Sequence, residues 1–328
     1  MHETRELSAL FPQQPSDSSP ATALALLEHE HILEVQGVDA TRFLQGQLSC
    51  DVATLPSGGH LLGSRCNPKG RMQSSFRLFK ISEERYLLAM DAELLQPQQA
   101  DLAKYAAFFK VQLSDSTDQW VRLGLWGSHV DEALAAADIS RETSDPEAGQ
   151  AITLDDTTAE LWLPASRAHE IATALTQQAE PVALNAWQLQ QIRLGIGHVH
   201  SQTRESFIPQ MLNLQQLGGV SFQKGCYTGQ EIVARMQYLG KLKRRMYRLT
   251  GAGMDLPIPG TPIMNSVNNQ AVGEVVVAAS TNKGMELLAV LQNEAAQLPT
   301  LHIGNGTEPL QLATLPYEDK MAADAASD

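Results

Sequence analysis

The apolar positions of this chain alternate between two periods, and the alternation is regular enough to place elements. Ile32 to Val35 reads as an apolar strand, and Gly37 then leads into a helix capped by Asp39 with Phe43, Leu44 and Leu48 facing inward. Strands follow from His60 to Arg65 and from Met72 to Ile81. Between them stands Asn67-Pro68-Lys69-Gly70, with Asn, Pro and Gly at the positions a β-turn favours. A strand near Tyr86 to Met90, a helix from about Ala92 to Ala107 and a strand near Val111 complete the first set. The same order then recurs. A strand from Val121 to Trp126 meets a helix from Ser128 to Ala137. Strands near Ala151 to Leu154 and Ala159 to Leu163 come next, then helices Ser166 to Gln178 and Asn185 to Leu194. This predicts an α+β protein with two related units, roughly 21–115 and 116–240. After residue 241, short strands (Met246 to Leu249, Glu274 to Ala279, Glu286 to Val290) alternate with Pro- and Gly-rich turns, which predicts a small barrel or sandwich over 241–317. Residues 1–20 are expected to form a loose arm, and the acidic, Ala-rich 318–328 a frayed tail.

Composition narrows the class. The 328 residues are 43% hydrophobic and 19% charged, as in a globular protein with a sizeable core. No apolar run approaches the roughly 18 residues a membrane helix needs. The first 20 residues lack the basic start and apolar centre of a signal peptide. Three cysteines, Cys50, Cys66 and Cys226, with no Cys-x-x-Cys, fit reduced thiols in the cytosol. Their spacing matches no closed zinc or iron–sulfur site, so no resident metal is expected. Cys50 and Cys66 lie beside apolar segments and read as packing residues.

Net charge is −13, but it is unevenly placed. Lys224 to Arg248 holds seven basic side chains against one acid, Glu231, so this stretch is +6 and the remainder is −19. Such a segment is either a solvated face or an anion site for phosphate or carboxylate groups. At its start lies Lys224-Gly225-Cys226-Tyr227-Thr228-Gly229-Gln230-Glu231. Thr228 and Glu231 have the spacing of a capping box, and Tyr227 and Ile232 that of a hydrophobic staple. Cys226 is then expected just before a helix start, where unpaired N–H groups and the dipole favour an anion, with Lys224 adding charge of the same sign. A thiol so placed would ionise more readily and could attack or bind metal. An ordinary helix start with an incidental cysteine carries the same spacing. Gly225 and Gly229 would let the backbone approach a bound group, while Gln230 and Glu231 read as structural caps.

Residues 207–239, with KGCYTGQE at their centre, closely resemble the YgfZ family of folate-binding proteins associated with tRNA modification. Phe43-Leu44-Gln45-Gly46-Gln47, Asn67-Pro68-Lys69-Gly70-Arg71-Met72 and Leu315-Pro316-Tyr317 look like further signatures of it, so the likeness covers Leu26 to Tyr317. That family is similar to the aminomethyltransferase of the glycine cleavage system. The resemblance implies a three-lobed fold with two ferredoxin-like α+β units over 21–240, a tetrahydrofolate pocket and a C-terminal β-barrel. It implies a cytoplasmic tetrahydrofolate-binding accessory protein that supports iron–sulfur enzymes and tRNA-modifying enzymes, with Cys226 as nucleophile or transient sulfur or cluster ligand. Trp187 would stack on folate, Glu160 would meet its pterin, and Arg235, Lys241 or Arg245 its glutamate tail. Two departures stand out. Where the transferase carries a catalytic Asp pair, this chain has Met72-Gln73-Ser74-Ser75-Phe76, and a serine cannot supply that negative charge. A second folate-site tryptophan would fall near Glu30 or His31, where there is none. A folate-dependent one-carbon transferase acting on tRNA or an amine is the alternative reading, and direct tRNA binding through 224–248 a third.

Overall fold

The computed structural model describes residues 6–15, 20–142, 145–238 and 242–319. In chain order the strands are β1 (Thr22–Leu26), β2 (Glu30–Gln36), β3 (His60–Cys66), β4 (Met72–Ser82), β5 (Arg85–Asp91), β6 (Gln112–Asp115), β7 (Trp120–Gly127), β8 (Gln150–Asp155), β9 (Thr158–Pro164), β10 (Glu180–Pro181), β11 (Arg244–Gly251), β12 (Pro262–Asn265), β13 (Gln270–Thr281), β14 (Gly284–Gln292), β15 (Leu301–Ile303) and β16 (Leu310–Ala313). The helices are α1 (Ala40–Gln45), α2 (Ala92–Ala106), α3 (Val130–Ala136), α4 (Ala165–Leu175), α5 (Leu184–Arg193) and α6 (Gln230–Tyr238). Among the described residues, no helix is long and apolar enough to cross a membrane.

Two compact units are woven from alternating stretches of chain. The first takes residues up to Phe43, Thr54–His60 and Arg77–Trp187. Its sheet β10-β1-β7-β9-β8 is antiparallel except where β10 joins β1 in parallel. β2, β5, β6 and the later half of β4 form its part of the sheet β3-β4-β5-β2-β6. The strand–helix–hairpin order read from the sequence is reproduced in both sheets, and the chemistry of the joints explains it. Asp91 ends β5 and caps α2, its carboxylate accepting the Glu93 N–H at 3.0 Å. Asp155 closes the β8–β9 hairpin by accepting the Thr157 N–H at 2.8 Å. One expectation fails at the start of the chain. Leu7 and Phe11 are buried in the core with Leu24, Leu123, Leu125 and Leu134, so described residues of the supposed arm are core residues. The reason is local: Leu7, Leu10 and Phe11 recur at a helical interval, and burying a large apolar side chain is worth about 1.5–3 kcal/mol.

The second unit comprises Leu44–Ala53, Leu61–Phe76 and the chain from Gln188 on. Its six-stranded antiparallel sheet runs β15-β12-β13-β14-β11-β16 and curls so that the two end strands approach each other, in keeping with the barrel expected there. Leu249, Ile263, Val275, Leu287, Ala289 and Leu291 fill its interior. Tyr317, of the Leu-Pro-Tyr motif, anchors the end of the described chain. Its hydroxyl donates to the Gly195 carbonyl at 2.7 Å, beside the buried amide of Asn213, which donates to Met246 O. Residues 320–328 of the expected tail lie outside the described residues.

Trp187 is a core residue of the first unit. It is 2% exposed, among Ala23, Ala25, Leu27 and Val182, 5.6 Å from the Trp126 ring. Its ring lies against Gly124 of β7, where an added β-carbon would come within 2.2 Å of it. Overpacking against so rigid a group is expected to cost about 3 kcal/mol. Urea unfolding of Gly124→Ala should show that loss, and pairing it with Trp187→Leu should cost less than the sum of the two changes.

Candidate functional site

The octapeptide motif of the second unit is built from alternate anchoring and release. Lys224 is 8% exposed and Tyr227 7%, while Gly225 and Cys226 between them are exposed. The Lys224 ammonium donates to the carbonyls of Leu48 and Cys50, both at 2.8 Å, and stands 5.2 Å from the Tyr227 ring centre. Its backbone N–H reaches Ser221 Oγ, and the Ser221 N–H reaches the Ser49 carbonyl. Ser49 in turn donates its hydroxyl to the Gly219 carbonyl and accepts the Ser64 N–H. The Lys224 end of the loop is thereby bonded to segment 48–50, which is itself bonded to β3; Tyr227 is buried beside the lysine, and Gly225 and Cys226 between them face solvent.

The other wall is the predicted turn at Asn67. Asn67 Oδ1 accepts the N–H groups of Lys69 and Arg71, at 2.9 and 3.1 Å, and Gly70 turns the chain at φ +70°. Gly229 meets this turn with φ +86°. A β-carbon on Gly229 would lie 2.5 Å from Asn67 O, and one on Gly70 would lie 2.9 Å from Ile232 Cβ. Two family motifs, distant in sequence, thus pack backbone to backbone through their glycines. Helix α6 is held from its other side by Val233, whose carbonyl accepts Gln210 Nε2 at 2.6 Å.

The helix start differs from expectation. The first helical bond runs from the Val233 N–H to the Gly229 carbonyl, so Gly229 and not Thr228 holds the N-cap position. Glu231 accordingly stands second in the helix, not third as a capping box requires. The close fit against Asn67 dictates a glycine here and overrides the Thr-x-x-Glu preference. Lys224 is also redirected. Its charge is engaged by the Leu48 and Cys50 carbonyls, in place of supporting the Cys226 sulfur.

The three thiols are sorted by environment. Cys50 and Cys66 are sealed at 0% and 1% exposure, and burial pushes each thiol up to about 12. Both are protonated and unreactive at neutral pH. Cys226 is the exposed one. Burial also lowers the Lys224 amine to about 8 and raises the Tyr227 phenol. In the same unit, Lys69, Arg235, Lys243 and Arg244 are exposed, whereas Arg248 is bound through Nη2 to Glu286 at 2.6 Å. Arg245 stacks its guanidinium 4.9 Å from the Tyr247 ring centre, and Lys241 lies outside the described residues.

Glu160 and Trp187 belong to the first unit, and neither is placed as sequence reasoning expected. Glu160 is 1% exposed, with Oε2 3.0 Å from Arg77 Nε and Oε1 2.6 Å from Arg122 Nη2. Arg122 also pairs with Glu30, forming a four-member buried network without net charge. It lies 4.7 Å over Trp162, which stacks on Phe79. Breaking such a pair from one side leaves a buried charge uncompensated, at about 3–5 kcal/mol. The carboxylate of Glu160 is therefore a structural partner of two arginines. Beside it, burial and Arg77 lower the His60 imidazole to about 4, so it is neutral.

At the transferase-like stretch, Ser74 and Ser75 are 1% and 3% exposed. Ser75 Oγ accepts the Val199 N–H at 2.8 Å and lies 3.5 Å from His198 Nδ1. The carboxylate reaching this strand is one that sequence reasoning missed. Glu205 Oε1 accepts Gln73 Nε2 at 3.2 Å, from a backbone at φ +63° that non-glycine residues seldom adopt. Among the described residues there is no group of three or more His, Cys, Asp and Glu side chains placed to hold a metal.

The chain is similar to known proteins in sequence and in fold. Residues 21–217 match the family model described as GCVT N-terminal domain. The chain is similar to the tRNA-modifying protein YgfZ of Klebsiella pneumoniae, 32% identical over 322 residues that span 93% of this chain and 96% of that one. YgfZ of Photobacterium profundum is 33% identical over 316 residues, 92% and 93% of the two chains. In fold it is similar to glycine cleavage system aminomethyltransferase T from Bartonella henselae, with a TM-score of 0.70, 18% identity and 96% of this chain covered against 89% of that one.

Two measurements check the site. Brief iodoacetamide treatment of the native protein should label Cys226 alone, with Cys50 and Cys66 reacting only after denaturation, as mapped by peptide mass spectrometry. Lys224 should leave a pH signature. Its amine titrates near 8 when folded against 10.5 ordinarily, so between these values the unfolded chain binds the extra proton and stability rises with pH. Lys224→Met should lack that rise when unfolding free energies of both proteins are compared across the window.

Proposed function

The chain belongs to the YgfZ family of tRNA-modifying proteins and carries an aminomethyltransferase-like domain, and from this premise we propose a cytoplasmic, tetrahydrofolate-binding accessory protein for iron–sulfur enzymes that modify tRNA, with Cys226 as its reactive group. One observation carries the reading: the single exposed thiol stands on a loop whose two ends are buried and hydrogen-bonded. A sulfur meant only to pack would be sealed, as Cys50 and Cys66 are. A sulfur held at a fixed place in water can be approached by a large partner. It can act there as a nucleophile or as a transient ligand to sulfur or iron. The exposed cations Lys69, Arg235, Lys243 and Arg244 of the same unit favour an anionic partner, through charge alone.

Tetrahydrofolate enters this reading through the family. Trp187 and Glu160 do not fit as its contacts, because the tryptophan is packed on Gly124 and both carboxylate oxygens of the glutamate are engaged by arginines. Arg235 is exposed and fits the glutamate tail by charge. Aminomethyl transfer does not fit this site, since Ser75, bound by the Val199 N–H, stands where that reaction uses a carboxylate.

The test is complementation of a strain deleted for this protein, read as the methylthiolated fraction of its tRNA by mass spectrometry. Wild type should restore the modification and Cys226→Ala should not, at equal protein level by immunoblot. Full restoration by Cys226→Ala would overturn the role of the thiol.

A further inference from the structure

Phe108 leaves 82% of its surface in water, the highest value for a large hydrophobic side chain among the described residues. It follows the end of α2, where its N–H bonds to the Tyr105 carbonyl and the Phe109 N–H to that of Ala106. This tight turn sends Phe109 inward, edge-on to Phe43 at 5.4 Å, and leaves Phe108 outside with Tyr105, itself 41% exposed. Asp39 fixes the neighbouring segment to the same place. Its Oδ2 accepts the Lys110 N–H at 2.9 Å, and Gly37 lies so close that a β-carbon there would meet Lys110 O at 2.1 Å. Arg42 then spreads over Phe109 at 5.0 Å. Val38 (63% exposed), Arg42, Tyr105, Phe108 and Lys110 are thereby collected on adjoining, mutually pinned turns.

The charges on this face are directional. Arg42 is 70% exposed and its partner Asp39 23%; Lys104 is 72% exposed and its partner Asp101 24%. In each pair the cation stands out into solvent and the acid lies below it. Lys110 is exposed too. Exposed Glu83 and Glu84 lie on the turn bonded to Thr41 and Gly37, so the cations and rings are concentrated on Arg42 and along Lys104-Tyr105-Ala106-Ala107-Phe108-Phe109-Lys110, where they interleave.

We propose that this face binds RNA, with unpaired bases stacking on Phe108 and Tyr105 while Arg42, Lys104 and Lys110 take the backbone phosphates. Rings accept any base through its π-face, and flanking cations follow the phosphate chain. A second copy of the protein would bring like charges together at this patch. That the nucleic acid is RNA rests on the proposed role in tRNA modification; the stacking and phosphate contacts themselves are common to any single strand. The inference is independent of the Cys226 thiol.

Fluorescence anisotropy with a labelled RNA hairpin carrying an unpaired loop tests it, using the full chain. Phe108→Ala should raise Kd roughly 5- to 100-fold, the effect of losing one stacked base, and Phe108→Trp should retain binding. Arg42→Gln and Lys110→Gln should each reduce the slope of log Kd against log salt by about one. Thermal unfolding of Phe108→Ala and Lys110→Gln should be unchanged, because these two side chains are exposed. Equal affinity of wild type and Phe108→Ala, no binding at low salt, or equal or tighter binding of duplex RNA or of the same-sequence DNA would each overturn the proposal. So would a concentration-dependent dimer in sedimentation that Phe108→Ala abolishes, which would assign the patch to self-association.

Discussion

A β-carbon on Gly229 would strike the Asn67 carbonyl and one on Gly70 would strike Ile232, and the motif loop takes its form from that close fit. Both glycines have positive φ, so each turn needs glycine twice over, for its backbone conformation and for the approach of the other. Asn67 holds one turn by accepting two N–H groups, and Ile232 seats the first turn of α6 on it. With α6 fixed in this way, the chain preceding it can anchor Tyr227 and Lys224 and leave the two residues between them in water. The Lys224 ammonium shows which force dominates. Two charge-assisted hydrogen bonds contribute about 1.5–3 kcal/mol each, yet the amine still titrates well below 10.5, so desolvation outweighs the attraction. A buried lysine held at such cost is there to tether a loop.

Electrostatics divides the candidate residues in a way that a count of charges does not. Glu160 would be an ordinary surface carboxylate if it pointed outward from β9. It points inward, where it completes a neutral cluster with Arg77, Arg122 and Glu30 beside Trp162. The cations of the second unit also fall into two groups. Arg248 is engaged by Glu286, whereas Lys69, Arg235, Lys243 and Arg244 face solvent. The +6 of residues 224–248 therefore overstates the charge available to an anion.

Elements with a clear period were readable in advance. β4, β5, β7, β9 and the helices α2, α4 and α5 stand within a few residues of their expected positions, because short apolar runs bounded by turn residues mark buried strands and helical spacing marks a buried helix face. The Asn67 turn was readable from its residue types alone. Short strands with little pattern were not, such as β1, β10, β15 and β16, whose identity depends on partners remote in sequence. The site divides the same way. An exposed cysteine beside a helix start follows from local spacing, but the destination of Lys224, the inward turn of Glu160 and the shift of the cap to Gly229 depend on tertiary neighbours. Glu205 carries no local signal, since its backbone conformation and its reach to Gln73 exist only once β4 is in place.

The interleaving of the two units has a consequence for biosynthesis. The second unit needs residues 44–53 and also Leu310 and Tyr317, made much later. Its early segments must leave the ribosome and wait, with Cys50 and Leu48 still unpaired with the lysine that will cover their carbonyls. Contacts of such long sequence separation form slowly and leave apolar surface open meanwhile. The nascent chain should therefore lean on chaperones more than a chain whose units follow one another in order.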